Sequence, residues 1–274
     1  MAFDVNNLVI NRPLRGIAFA SDGNILWTID QIKEPTLTMS TEQVQAMDAL
    51  DTPIMEFDRS KNCEFSATQA VFDLALIAAQ SGTAKEYASE TSTIRTPMWE
   101  TVVVKKGETK ITLKREPIAE AADNSIPFIW ELKNDQSLST RYEYTDGAAS
   151  ATTFSVDGST LTLPTGATSD RVYLIPYEYI ADGTDNSGAV KVTNSANLFN
   201  TASKFVLQCL GHNVCNVDVE YAIWLVFDNA KLVSDFDLTL SPEMSQAFTM
   251  RIMPGYCAID KPLFSIIVPE NPAN

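Results

Sequence analysis

Asn216-Val217-Asp218-Val219-Glu220-Tyr221-Ala222-Ile223-Trp224-Leu225-Val226-Phe227 is the stretch on which the fold class turns. Val217, Val219, Tyr221, Ile223, Leu225 and Phe227 recur at period two, so an extended chain places them on one face. Asn216, Asp218 and Glu220 open the other face, which turns apolar at Ala222, Trp224 and Val226. Such a run predicts a strand half-exposed at its start and buried on both faces at its end. Shorter runs repeat the period: Thr109-Ile111-Leu113, Phe205-Leu207-Cys209, Phe236-Leu238-Leu240 and Phe248-Met250-Ile252, each bounded by Gly, Pro, Asn or Asp.

Turn chemistry supports the same reading. Asp157-Gly158 tolerates the positive φ of a tight turn and predicts a hairpin that sets Phe154 opposite Leu161 on one face. A second hairpin is expected from Val102 to Ile111 with its turn near Gly107. Tyr173 to Tyr179 alternates as well, but Pro176 confines that strand to an edge or a bulge. One helix is expected over about 66–81, with Ser66 as N-cap and Gly82 at the C′ position. Its apolar residues wrap nearly the whole circumference, which calls for cover on two sides, by the chain's own loops or by a neighbouring subunit. A short helical turn is expected from Ser40 to Leu50, where Ser40 and Gln43 have capping-box spacing. Asn134 to Asp185 is richer in Ser, Thr, Gly and Asp, and reads as a β-rich insertion at about 134–190 in a single domain spanning 1–274.

Composition narrows the function classes. Hydrophobic content of 45% with 20% charged residues is that of a globular protein rather than a disordered one. Thirty-five acidic against 20 basic residues, net −15, repel a polyanion such as DNA, and the basic residues gather only in pairs such as Lys105-Lys106 and Lys114-Arg115. The stretch from Met1 to Asn7 has neither the basic nor the apolar region of a signal peptide, and no run of about 18 apolar residues predicts a membrane span. Cys63, Cys209, Cys215 and Cys257 are scattered without a C-x-x-C pair, which suits free, mostly buried thiols in a reducing cytoplasm.

Catalytic and metal-binding signatures are weak. His212 is the one histidine and reads as a turn residue between two strands. There is no G-x-S-x-G elbow, P-loop or G-x-G-x-x-G. Carboxylate pairs (Glu116 with Glu120, Asp48 with Asp51, Asp235 with Asp237) carry little weight in so acidic a chain. Asp182 to Gly188 is oxygen-rich like a calcium loop but lacks EF-hand ligand spacing, so a solvated turn is the reading preferred. Trp99, Trp130, Tyr142 and Tyr144 suit either a sugar-binding face or a core. No cofactor, metal or catalytic residue is expected, and the chain is expected not to be an enzyme.

The order of features resembles a bacteriophage major tail tube protein. That resemblance rests on a strand pair around Ile25–Ile29, a polar excursion from Ser40 to Asp51, and a strand hairpin expected from Pro53 to Phe65, leading into the apolar helix. It rests further on Thr153–Pro164 in the middle and on the long strand at Val217 followed by Leu263–Ile267. It implies a β-sandwich or barrel with one flanking helix and a β-hairpin insertion. It also implies a virion protein made in the bacterial host cytoplasm, whose copies form six-membered rings that stack into a tube. Other tail proteins would be partners, and genomic DNA would pass through without specific binding. The polar region from Glu34 to Asn62 becomes the expected ordering loop between rings. Glu42, Gln43, Asp48, Asp51, Phe72, Leu76 and Ile77 become the expected inter-subunit residues. At position 51 the resemblance leads to a turn glycine where the chain has Asp51. Two other readings stand beside it: another virion part (tail tip, baseplate or capsid decoration), or a β-sandwich glycan-binding module acting through Trp99 or Trp130.

Overall fold

The computed structural model describes residues 7–120, 123–166, 168–184, 186–235, 237–240, 245–256 and 259–270; Met1 to Asn6, Asp185, Phe236 and Cys257, singled out above, lie outside them. The fold is mainly β, as the alternation predicts, and divides into two compact units. The first comprises residues 1–85 and 192–274; the second, 86–191, is inserted into it. The inserted unit thus begins well before residue 134, because Ile94–Val104 pairs along its whole length with Arg171–Ala181 and belongs to the same sheet.

In chain order the first unit opens with β1 (Leu8–Phe19), β2 (Ile25–Ile29), β3 (Ile32–Met47), β4 (Pro53–Gln69) and α1 (Leu74–Ser81). The inserted unit holds β5 (Glu86–Tyr87), β6 (Ile94–Val104), β7 (Lys110–Thr112), β8 (Ala119–Glu120), β9 (Asp123–Asn124) and β10 (Phe128–Leu132). It continues with β11 (Leu138–Tyr144), β12 (Thr153–Asp157), β13 (Thr160–Thr162), β14 (Arg171–Ala181) and β15 (Val190–Lys191). The first unit resumes with β16 (Ser203–Asn213), β17 (Asn216–Leu232), β18 (Leu238–Thr239), β19 (Ser245–Ile252) and β20 (Ser265–Ile267).

In the first unit the strand order is β2-β1-β16-β17-β19-β4-β3, with β18 added to β19 and β20 to β17. The two ends of that path, β2 and β3, are separated only by Asp30 and Gln31, so the sheet curls back on itself around one core. Phe65 sits at its centre, with ring centroids 5.9, 5.8 and 6.1 Å from Phe205, Phe227 and Phe248. Trp27 stacks on Phe205 at 5.3 Å. The long β17 behaves as its pattern requires: Asp218 is exposed, while Ala222 and Ile223, on opposite faces, are both buried. Gly16 is required here, because a Cβ would fall 2.6 Å from the Phe205 ring and 2.7 Å from Ile29.

The helix is shorter than 66–81. Ser66 to Gln69 continue β4, whose alternate residues Phe65, Ala67 and Gln69 are drawn inward by pairing with β19. Asp73, not Ser66, caps α1, accepting from the Ala75 N–H at 2.7 Å. Gly82 closes it in the left-handed region, donating to the Ala78 and Ala79 carbonyls. The helical turn expected over Ser40–Leu50 is instead strand and hairpin tip. Likewise Pro53–Phe65 is not a hairpin by itself but one strand of a hairpin with β3.

In the inserted unit the order is β6-β14-β10-β11-β12-β13-β7. The expected hairpin around Gly107 does not form: the turn exists, with the Glu108 N–H on the Lys105 carbonyl at 3.1 Å, but β6 pairs with β14 and β7 with β13. That short loop joins the two ends of the strand path, so this sheet too folds round on its core. At the Asp157-Gly158 turn the register places Val156 opposite Leu161 rather than Phe154. The displacement is two positions in pairing, which preserves faces, and both Phe154 and Leu161 are fully buried. Pro176 lies past the last β10 pairing at Leu174, on a stretch of β14 paired only with β6.

Candidate assembly interface

β3 and β4 pair from Ile32 to Met47, but β4 receives β19 only from Cys63 to Gln69. From Ser40 to Asn62 the hairpin therefore has no strand neighbour on either edge among the described residues and forms a two-stranded arm. At about 3.3 Å per residue the paired part from Ser40 to Met47 reaches roughly 26 Å. Nearly every residue of it is exposed. An isolated two-stranded ribbon is marginal in water, so an arm of this length needs cover.

The arm is amphipathic, and its polarity is inverted relative to the sheet body. In the body, Leu37 and Phe65 oppose each other on the core face. Arg59 is an extra residue between Ser60, opposite Glu42, and Asp58, opposite Gln43, and this bulge resets the parity of β4. Beyond it the core-side face is polar: Gln43 donates to Asp58 and Gln45 to Glu56, each at 3.4 Å. The opposite face carries Val44 across from Phe57 and Ala46 across from Met55. Met55 and Phe57 are 55% and 51% exposed. Near the tip, Met47, Ile54 and Leu50 add further exposed apolar surface.

The tip is built by Asp48, whose side chain accepts from the Leu50 and Thr52 N–H groups, both at 2.8 Å. Those bonds, Thr52's first, hold the Asp48 carboxyl below the usual range. Asp51 has φ 59, the left-handed conformation that a turn glycine would supply and that Asp tolerates.

Of the seven expected interface residues, Glu42, Gln43, Asp48 and Asp51 all lie exposed on this arm. Glu42 accepts from Ser60 at 3.2 Å. The other three lie at the helix. Phe72, just before it, is exposed; Ile77 is half-buried. Leu76 is fully buried in the first unit's core and is removed from the interface set. The helix gains part of its cover from its own unit through buried polar residues as well: Gln80 and Gln246 share a hydrogen bond of 3.4 Å, and Asn200 donates to the Leu232 carbonyl at 2.7 Å. Sequence reading missed Val44, Ala46, Met55 and Phe57. Their signal, a period of two on each side of a turn, was present but brief.

Several of the remaining sequence candidates take part in contacts within the fold. His212 lies within β16, not in a turn, with Nε2 3.7 Å from Glu220 on β17. Asp182 accepts from the Thr184 N–H and hydroxyl and from the Ser187 hydroxyl, which holds it down at about 2. Tyr142 donates to Glu131 and accepts from Arg171, both at 2.8 Å, and burial with the Glu131 carboxylate pushes it up to about 12. Cys63 and Cys209 are buried free thiols, raised by burial, whereas Cys215 is exposed. Among the described residues no three His, Cys, Asp or Glu side chains gather as a metal site, and no helix is long and apolar enough to cross a membrane. No protein-family model matches the chain, and no curated protein matches it in sequence.

Proposed function

We propose that the chain is a structural subunit that assembles with its own copies, as the ring-forming subunit of a phage tail tube. The single observation that carries self-assembly is the β3–β4 arm, an exposed amphipathic ribbon whose apolar face points away from its own unit's core. Two free strand edges on the arm add main-chain donors and acceptors that a neighbour's strand can pair with. The tube itself, its hexameric rings and its role as a genome conduit rest on the resemblance in feature order. The net charge of −15 per copy is consistent with a lumen along which DNA slides without adhering. Assembly of this kind needs no catalytic group.

Electron microscopy and sedimentation of the purified chain over a range of concentrations test the reading. Rings or hollow tubes of uniform width are expected. Replacing residues 41–61 by a two-residue Asn-Gly turn, which reconnects the paired Ser40 and Asn62, should leave a folded monomer that no longer polymerises. Polymers of unchanged form from the armless chain would refute the role given to the arm. A chain monomeric at every concentration, even when supplied with preformed tail-tip complexes, would refute the tube.

A further inference from the structure

We propose that the outer face of the inserted unit's sheet is a binding platform for an uncharged sugar chain. The inner face of that sheet is core: Tyr173, Ile175 and Tyr177 of β14 are all buried. Of the alternate residues, which point the other way, Pro176 and Ile180 are exposed and Val172 and Leu174 half-buried. Trp99 stands opposite Pro176, and Leu174 is paired with both Thr101 and Trp130. Trp99, Pro176, Phe128 and Trp130 line one shallow groove of about 350 Å³. Trp99 is 72% exposed, an unusual position for a large ring on a regular strand.

The polar groups around this floor indicate the ligand's charge. Arg95 holds Asp123 at 2.8 Å and also pairs with Glu178, which lines the groove. Arg141 lies 4.3 Å over the Phe128 ring and pairs with Glu143 at 3.2 Å. Both rim guanidinium groups are therefore already paired within the unit, against three carboxylates, and an anionic ligand finds no free complement there. What remains is a set of oriented planar donors and acceptors beside flat rings. That combination suits a pyranose, which offers an apolar C–H face for stacking and neutral hydroxyls for the carboxylates and guanidinium groups. The floor is rigid: Pro97 and Pro176 fix backbone torsions, and the Ser125 hydroxyl ties to the Glu178 backbone, donating to its carbonyl at 2.9 Å and accepting from its N–H at 3.1 Å. Preorganisation of this kind lowers the entropic cost of binding.

The test uses the full chain at a concentration where it is unassembled, so that its outcome does not depend on tube formation. Tryptophan fluorescence and affinity electrophoresis would be run with soluble β-1,3-glucan, galactan, mannan and N-acetylglucosamine hexamer as probes. At least one probe should bind, and Trp99→Ala should weaken it about tenfold or more while leaving the melting temperature unchanged. Phe57→Ser on the arm should bind the same probe as the parent does. Three results would overturn the proposal: no binding to any probe, binding indifferent to both Trp99→Ala and Trp130→Ala, or loss of self-assembly in Trp99→Ala, which would make the face a contact between copies. Displacement of the bound probe by a proline decamer at lower concentration would also overturn it, in favour of a proline-rich peptide groove.

Discussion

The double substitution Met55→Ser with Phe57→Ser gives the arm its most direct test. In the single chain these side chains are 55% and 51% exposed, so about half of each apolar surface is still in contact with water. Full burial of such a side chain is worth about 1.5–3 kcal/mol, and the half still outstanding amounts to about 0.75–1.5 kcal/mol each. Covered by a neighbouring copy, the pair supplies about 1.5–3 kcal/mol per arm contact. At about 1.4 kcal/mol per tenfold, the critical concentration for polymerisation should rise roughly 10- to 150-fold. The cost to the monomer is small, because what is lost within the chain is the Val44–Phe57 and Ala46–Met55 cross-strand pairs, about 0.2–1 kcal/mol each.

Pelleting the polymer over a dilution series measures that critical concentration, and circular dichroism checks that the fold persists. The opposite face supplies the control. Gln45→Ser removes the contact to Glu56 on the polar side and should move the critical concentration little. If the double variant polymerises at the parent's concentration, or if Gln45→Ser shifts it equally, the assignment of an apolar docking face beyond the Arg59 bulge is wrong.

The remaining predictions concern the fold that carries the arm. Because the hydrogen bonds from Thr52 and Leu50 lower the Asp48 carboxyl, their support of the tip is present above the ordinary carboxylate range and lost as pH falls through the lowered value. The Leu50 and Thr52 amide resonances should therefore move toward random-coil positions only below about pH 3.8, and shifts independent of pH would contradict the cap. Phe65→Ala, at the centre of the aromatic core, should lower unfolding free energy by about 3–5 kcal/mol in denaturant titration, and a loss under about 1 kcal/mol would mean the core is elsewhere. Ser187→Ala should raise the titration midpoint of Asp182 from about 2 toward the ordinary 3.8, read by carboxyl NMR. An unmoved midpoint would remove the Ser187 hydroxyl from that turn.

The strands that build the two cores were legible because burial imposes a long, uninterrupted alternation. β16, β17 and β19 all follow it, and Phe205, Leu207, Phe248 and Met250 are buried where period two puts them. The helix boundary was not legible, because Ala67 to Gln69 suit a helix by propensity while their pairing with β19 decides for strand. The hairpin at Gly107 failed for a related reason. Local turn chemistry specifies a reversal, but which strands then pair is settled by the distant β14 and β13. Glu42, Gln43, Asp48 and Asp51 were placed on an exposed segment by its polarity together with the resemblance in feature order. Its true form, a hairpin rather than a loop, was hidden because an arm with no core of its own shows no strong pattern, and the Arg59 bulge breaks the little there is.

The two uncovered apolar surfaces differ in what their edges allow. The arm leaves strand edges unpaired along with its apolar face, and both defects are removed together only by another polypeptide that lies along it. It also carries Glu42, Asp48, Asp51, Glu56 and Asp58 against Arg59 and Lys61, so its partner surface must tolerate or neutralise acid. The platform on the inserted unit shares only part of that defect: β6 ends its sheet and β14 beyond Leu174 pairs only with β6, but the Glu178 main chain is bonded by Ser125 and Ile118 and both rim guanidinium groups are paired. Under the two proposals, lasting cover therefore belongs on the arm, open along both edges, and exchangeable cover on the platform.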